Sequence, residues 1–155
     1  MTEAKKRNPD IKLYGLPWAF PAWVGNGTGN PYAFPELTAG YIVKWVEGAK
    51  NVYNLDIDYV GIWNERSYNI TYIETLRAAL DTAGFNNTLI VAPDSNWDIA
   101  ADILSAPSLA EAVYAIGMLD VIIAWSCMTH CSRRTLPRHR VHTTSHTDRQ
   151  AAMGL

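Results

Sequence analysis

The sequence has no apolar run that could cross a membrane, because a membrane helix needs about 18 consecutive apolar residues. The first ten residues, MTEAKKRNPD, contain basic side chains but no apolar segment, so they do not resemble a secretory signal peptide. The net charge is −2, which does not suggest a nucleic-acid partner. Hydrophobic residues nevertheless make up 48% of the 155 residues, which is enough for the packed core of one domain.

Cysteine and histidine are missing from most of the chain. Both cysteines and all four histidines lie in residues 123–155, which carry 5 arginines and one acid, Asp148. Residues 1–122 carry 8 basic and 14 acidic residues, a net charge of −6, against +4 for the last stretch. The sequence therefore predicts a domain over residues 1–122, followed by a basic and disordered tail.

Within residues 1–122, short apolar runs alternate with amphipathic stretches. Strands are predicted at 11–18, 55–63, 88–94 and 119–123. Helices are predicted from Leu37 to about residue 53, from Thr71 to about Ala83, and in the stretches WDIAADIL and SLAEAVYAI. The strands are apolar throughout, as expected when helices cover a parallel sheet, so the predicted fold class is α/β.

Two helix starts are predicted from local chemistry. Thr38 is a candidate N-cap for the first long helix, and Thr71 with Glu74 has the spacing of a capping box for the second. Gly84 marks the end of the second helix. The buried face of the first long helix is predicted to comprise Leu37, Tyr41, Ile42, Trp45, Val46 and Ala49.

Polar and aromatic residues follow three of the predicted strands. Trp18 follows the first strand, Asn64 and Glu65 follow the second, and Asp94 ends the third. Since ligands bind at the carboxyl ends of parallel strands, these residues are candidates for one site. The long loop at 20–36, rich in Pro, Gly and aromatic residues, lies at the same edge and is typical of a functional loop.

Glu65 has two interpretations. Asn-Glu after a strand can simply be the polar start of a loop. A carboxylic acid among aromatic residues is instead expected to have a raised pKa, because desolvation disfavours its charged form, and it can then serve as a general acid. Glycoside hydrolysis requires such an acid and a second carboxylate. Trp18, Trp23 and Trp63 offer apolar faces for a sugar ring, whereas core packing is the expected use of Trp45.

Three long segments resemble a known family. KKRNPDIKLYGLPWAFPAWVG, LDIDYVGIWNERSYN and LIVAPDSNWDIA are similar to glycoside hydrolase family 59, and the similarity extends from about residue 3 to 122. The resemblance implies a lysosomal retaining β-galactosidase with a (β/α)₈ barrel. Its implied substrates are galactosylceramide and galactosylsphingosine, presented by a saposin, and no metal or organic cofactor is implied.

The resemblance also implies roles for single residues. Glu65 matches the catalytic acid/base, Asn64 the residue that contacts the sugar, and Trp18 a tryptophan of the galactose pocket. The family's nucleophile follows barrel strand seven, whereas this chain is expected to span about strands three to six. The remaining glutamates fall on or just before predicted helices. We therefore expect an isolated chain of this sequence to be inactive, and a non-enzymatic, unstable or self-associating fragment is the alternative.

Two further patterns remain open. Cys127, Cys131, His139, His142 and His146 have ligand types that suit zinc, but their spacing fits no standard zinc finger, so a disordered tail with no metal is favoured. Three N-glycosylation sequons begin at Asn26, Asn69 and Asn86, and they modestly favour a secretory route.

Overall fold

The fold is known from a computed structural model that describes residues 1–118 and 121–124, with side chains described up to Gly117. Its elements, in chain order, are α1 (Thr2–Arg7), β1 (Tyr14–Gly15), a 3₁₀ turn (Pro31–Ala33), α2 (Pro35–Tyr53), β2 (Tyr59–Gly61), α3 (Ile70–Thr82), β3 (Leu89–Val91), α4 (Ile99–Ser105), α5 (Pro107–Ala112), β4 (Val113–Met118) and β5 (Val121–Ala124).

The strands form one sheet in the order β1-β2-β3-β4-β5, so each strand lies beside the next one in sequence. The first four strands are parallel, with Tyr14 paired to Tyr59 and Gly61 paired to Val91. A helix follows each of the loops that leave β1, β2 and β3. The predicted α/β class is confirmed, and the carboxyl ends of four parallel strands share one edge.

The predicted position of the fourth strand is wrong. The fourth parallel strand is Val113–Met118, whose first four residues fall within the predicted helix SLAEAVYAI, and α5 ends at Ala112. The run from Val113 is rich in β-branched and aromatic residues, which favour a strand over a helix. The predicted strand at 119–123 overlaps β5, which pairs antiparallel to β4.

Helix α2 begins earlier than the sequence predicts. Its N-cap is Phe34, and Thr38 is a buried residue within the helix whose hydroxyl donates to the carbonyl of Pro31. The buried side chains are Thr38, Ala39, Ile42, Val43 and Val46. The predicted face is thus right for Ile42 and Val46 and wrong for Leu37 and Trp45, which remain about 40% exposed.

The N-cap of helix α3 differs from the predicted one. Asn69 is the N-cap, and its Oδ1 accepts a hydrogen bond of 2.8 Å from the backbone N–H of Tyr72. The predicted capping box of Thr71 and Glu74 is therefore wrong, because both residues already lie within the helix. Gly84 has φ +83°, the left-handed conformation expected of a glycine that ends a helix.

The core lies between the sheet and helices α2, α3, α4 and α5. Val60 and Ile90 of the two central strands are almost fully buried against this helix layer. The largest fully buried side chains of the core are those of Tyr72, Ile62, Ile73, Leu76, Leu80, Ile90, Ile99, Leu109 and Ile116. A layer of this size fixes the central strands and hence the positions of the residues that follow them.

Candidate active site

Each of the first three strands is followed by a candidate residue at the same offset. Trp18, Asn64 and Asp94 each lie three positions after the last residue of β1, β2 and β3, respectively. Because these strands are parallel neighbours, the three residues meet at one edge of the sheet.

Backbone hydrogen bonds join these strand ends beyond the sheet itself. The N–H of Asn64 donates to the carbonyl of Pro17 at 2.8 Å. The N–H of Glu65 donates to Oδ1 of Asp94 at 2.9 Å, and the N–H of Gly117 donates to the carbonyl of Pro93 at 2.8 Å. The carboxyl ends of all four parallel strands are therefore connected.

Glu65 has an unusual backbone conformation. Its φ is +52°, in the left-handed region where a residue with a Cβ is disfavoured by about 1 kcal/mol or more. Its side chain is exposed, so the expectation that aromatic residues enclose and desolvate this carboxylate is not met within the described residues. The carboxylate faces solvent and does not pack among the helices.

An aromatic cluster surrounds Trp63, the residue before Asn64. The Trp63 ring meets the edges of Phe20 and Tyr32, with centroids 5.9 Å and 5.5 Å away, and the guanidinium of Arg66 lies 5.4 Å from its centroid. The Tyr32 ring in turn packs against the ring of Tyr72 on α3, with the two ring centroids 5.2 Å apart. These contacts anchor the loop that carries Asn64 and Glu65 to the helix layer.

A small cavity of about 180 Å³ lies between the loop after β1 and the loop after β2. Trp18, Phe20, Trp63 and Arg66 contribute to its wall. Trp18 is 77% exposed, whereas Glu65 does not line this cavity. The volume is below the roughly 300–1,000 Å³ of pockets that enclose a whole small ligand. The cavity can therefore hold only part of a ligand that also reaches Glu65.

Asp94 places negative charge near two tyrosines of the site. Burial, together with the charge of Asp94, raises the pKa of Tyr14 to about 12. The same two causes raise the pKa of Tyr32. Both phenols therefore remain protonated, and able to donate hydrogen bonds, at any physiological pH.

The other tryptophans occupy different places. Trp45 packs its ring against Gly15 of β1, where a Cβ would collide with it, although 40% of the side chain is exposed. Trp23 is 58% exposed and contacts Tyr41 edge-on at 5.6 Å. Neither of them lines the cavity beside Trp18.

The sequons differ in their surroundings. Asn26 and Asn86 are exposed, whereas Asn69 is half-buried and caps α3. Thr88, which completes the sequon of Asn86, is buried and donates to the carbonyl of Ile57 at 2.9 Å.

Sequence reasoning missed two features of this edge. The contact between Arg66 and the Trp63 ring is not predicted, because nothing in the spacing of the two residues indicates it. The contact between Asp94 and the Glu65 backbone was also missed, since it depends on the register of β2 and β3. The candidate zinc ligands lie outside the described residues. Among residues 1–118 and 121–124, there is no group of metal-binding side chains and no helix long and apolar enough to cross a membrane.

The sheet edge has the features of a carbohydrate-active α/β enzyme, with an acid, an amide and an exposed tryptophan after successive parallel strands. The chain belongs to glycosyl hydrolase family 59, whose family model matches residues 1–146. This match extends beyond the domain boundary predicted at residue 122, which the described residues do not test.

Curated relatives support the same assignment. Over 118 residues, or 76% of this chain, it is 60% identical to galactocerebrosidase of Danio rerio and 52% identical to that of Homo sapiens. A putative galactocerebrosidase of Caenorhabditis elegans is 44% identical over 92 residues, or 59% of this chain. These matches cover 18%, 17% and 14% of the relatives, so the chain spans less than a fifth of their length.

Proposed function

We propose that these residues form part of the active site of a retaining β-galactosidase that hydrolyses galactosylceramide to galactose and ceramide. Glu65 is the proton donor, Asn64 orients the sugar and Trp18 lines the galactose pocket. The observation that carries the proposal is the position of Asn64 and Glu65 after β2, bonded on one side to the loop of Trp18 and on the other to Asp94. The similarity to galactocerebrosidases supports the choice of substrate.

The proposed chemistry requires two carboxyl groups. In the first step, protonated Glu65 donates to the glycosidic oxygen while a second carboxylate attacks the anomeric carbon. In the second step, ionised Glu65 removes a proton from the water that releases galactose. Glu65 regains in the second step the proton that it gave up in the first, so the proton balance of the cycle closes at this one residue.

Asp94 is a second carboxylate at this edge, and it contacts the backbone of Glu65. Its Oδ1 is directed at the Glu65 N–H, and we assign Asp94 a structural role and no nucleophilic one. Glu3, Glu36, Glu47, Glu74 and Glu111 all lie on helices. We therefore propose that the nucleophile comes from a residue outside the described ones, at strand seven of the barrel that the family resemblance implies.

We also propose that β1–β4 are four successive strands of a (β/α)₈ barrel. The sequential order of the parallel strands and the helices between them support this. The resemblance also implies a lysosomal location and a saposin partner. In a barrel, the saposin would present the lipid to the site at this edge. No metal or organic cofactor is part of the proposed chemistry.

The proposal can be tested in a chimera. Residues 1–118 replace the matching segment of the Danio rerio galactocerebrosidase, and hydrolysis of galactosylceramide is measured. We expect Glu65→Gln to lower kcat by about 10²–10⁴-fold, the usual contribution of a general acid. Glu74→Gln is the matched control, because Glu74 lies on α3, and it should retain activity.

The outcome for Glu65→Gln decides the assignment. Activity equal to that of the unsubstituted chimera would remove Glu65 from the mechanism. The 155-residue polypeptide produced alone is expected to show no turnover, because Glu65 and the engaged Asp94 cannot complete a double displacement. Turnover by that polypeptide that Glu65→Gln abolishes would disprove this expectation.

A second candidate is a non-enzymatic, self-associating fragment. Two observations favour it. Within the described residues, β1 has no strand on its outer side, and an apolar cavity beside it is lined by Leu16, Tyr41 and Trp45. Exposed strand edges promote association between chains. Size-exclusion chromatography of the 155-residue polypeptide tests this, and a monomer at high concentration would exclude it.

A further inference from the structure

Asp94 is the candidate for an additional role, because it contacts the backbone of Glu65 rather than its side chain. Its Oδ1 lies 2.9 Å from the Glu65 nitrogen, across 29 residues of sequence. Among the described residues, this is the hydrogen bond that the Glu65 N–H makes. The Glu65 side chain is exposed, so its own packing contributes little to its backbone conformation.

The conformation of Glu65 requires such a contact. With φ at +52°, its backbone occupies a region that non-glycine residues rarely adopt without compensation. A charged acceptor forms a stronger hydrogen bond with an N–H than a neutral one does. The Asp94 carboxylate therefore offsets the cost of the left-handed conformation.

Asp94 is itself held from the β4 side. The N–H of Gly117 donates to the carbonyl of Pro93, and a Cβ at Gly117 would lie 3.3 Å from Cα and Cβ of Asp94. The absence of a side chain at Gly117 thus lets Asp94 approach β4 closely. Strand β4 thus fixes the position of Asp94, and Asp94 fixes the backbone of Glu65 in the loop after β2.

We propose that Asp94 is a positioning residue for the Glu65 carboxyl group, acting through the Glu65 backbone N–H. This rests on the proposed function, in which Glu65 is the proton donor. A general acid must lie within hydrogen-bonding distance of the oxygen that it protonates, and a change of φ at Glu65 would redirect its whole side chain. Asp94 needs no contact with substrate for this role.

The test uses the ¹⁵N-labelled 155-residue polypeptide and does not depend on turnover. Hydrogen exchange of the Glu65 amide and the nuclear Overhauser effect between its amide and α protons are measured in the original chain, D94A and D94N. A left-handed residue brings these two protons close together and gives a strong effect. We expect D94A to accelerate exchange about tenfold and weaken the effect, because one hydrogen bond is lost.

D94N separates positioning from charge. Asparagine keeps an oxygen acceptor at the same place, so exchange should remain within about threefold of the original chain. If D94A leaves both signals of Glu65 unchanged, the proposal is overturned. These signals are measured without substrate, so the two proposals can fail separately. The positioning role of Asp94 can be refuted while Glu65 remains the acid. Conversely, Glu65→Gln can retain activity in the chimera while Asp94 still holds the Glu65 backbone.

A double variant covers the case in which D94A does not fold. Glycine adopts φ near +50° at little cost, so E65G/D94A no longer needs the Asp94 contact. We expect this double variant to give a dispersed spectrum of the folded chain. An unfolded spectrum for both E65G/D94A and D94A, with E65G alone folded, would show that Asp94 supports the sheet as a whole and would refute a specific role at Glu65.

Discussion

The backbone N–H of Asn64 lies 2.8 Å from the carbonyl oxygen of Pro17, so the loop that begins with Trp18 is fixed to the end of β2. This bond joins two residues 47 positions apart in sequence, each just beyond a strand. It places an exposed indole and a carboxylic acid on one edge of the sheet. A sugar ring bound against Trp18 would then lie beside the loop that carries Glu65.

Gly61 of β2 has no room for a Cβ unless neighbouring side chains move. A Cβ at this position would collide with Cδ1 of Leu16 and lie 2.6 Å from the hydroxyl of Tyr14. We expect Gly61→Ala to lower the free energy of unfolding by about 1–3 kcal/mol, because the side chains of Leu16 and Tyr14 must both move. Urea unfolding of the 155-residue polypeptide measures this change.

Gly40 provides the matched control for Gly61. It lies on α2, and a Cβ there meets nothing within 4 Å. Gly40→Ala should raise the free energy of unfolding by about 0.5–1 kcal/mol, since alanine favours a helix over glycine. Equal effects of the two substitutions would contradict the packing described at Gly61.

Tyr72 and Tyr68 form a contrasting pair of hydroxyl groups. The Tyr72 hydroxyl is buried and has no hydrogen-bond partner among the described residues, whereas that of Tyr68 donates to Oδ2 of Asp102 at 2.6 Å. Tyr72→Phe should therefore be neutral or raise the free energy of unfolding by about 1 kcal/mol, because no unsatisfied group remains. Tyr68→Phe should lower it by about 1 kcal/mol. A larger loss for Tyr72→Phe would reveal a partner for its hydroxyl.

Asn69 stabilises the start of α3 through its side chain. Asn69→Ala removes the acceptor for the Tyr72 N–H and should lower the free energy of unfolding by about 1 kcal/mol. Asn86 is exposed and lies in a turn, so Asn86→Ala should change it by less than about 0.5 kcal/mol. Thermal unfolding of both variants, produced without glycosylation, measures the difference. A Tm of Asn69→Ala equal to that of the unsubstituted chain would argue against the cap.

The raised pKa of Tyr14 predicts a loss of stability at alkaline pH. Burial, with the charge of Asp94, raises this pKa from 10.0 to about 12 in the folded chain. Between these values the unfolded chain releases the Tyr14 proton and the folded chain keeps it, so stability is full below pH 10 and falls as the pH rises through about 12. The urea midpoint should fall less steeply over this range in Tyr14→Phe, and parallel curves would contradict the assignment.

The sequence was sufficient to predict the α/β class and the placement of Asn64 and Glu65 just after a parallel strand. Apolar runs and helical periodicity identify β2, β3 and α3, and the polar residues after the strands identify Asn64 and Glu65. Parallel strand order then brings those residues to one edge, which requires no knowledge of side-chain packing.

The other features could not be predicted, because the local sequence allows two alternatives and contacts with distant residues decide between them. Val113 lies where a helical pattern continues, yet pairing with β3 makes it a strand residue. Asn69 and Thr71 both offer side-chain oxygens for a helix start, and the chain uses Asn69. The contact between Asp94 and Glu65 depends on strand register and a left-handed backbone, and neither is encoded in the spacing of the two residues.

The most direct test of Glu65 as the proton donor is azide rescue in the chimera with the Danio rerio enzyme. The Glu65→Gly variant is incubated with dinitrophenyl β-galactoside, whose leaving group needs no protonation, and with sodium azide. We predict slow turnover without azide, acceleration with azide and formation of β-galactosyl azide, because only the second step then lacks its base. Turnover that azide leaves unchanged, with galactose as the sole product, would contradict the assignment of Glu65 as the acid/base.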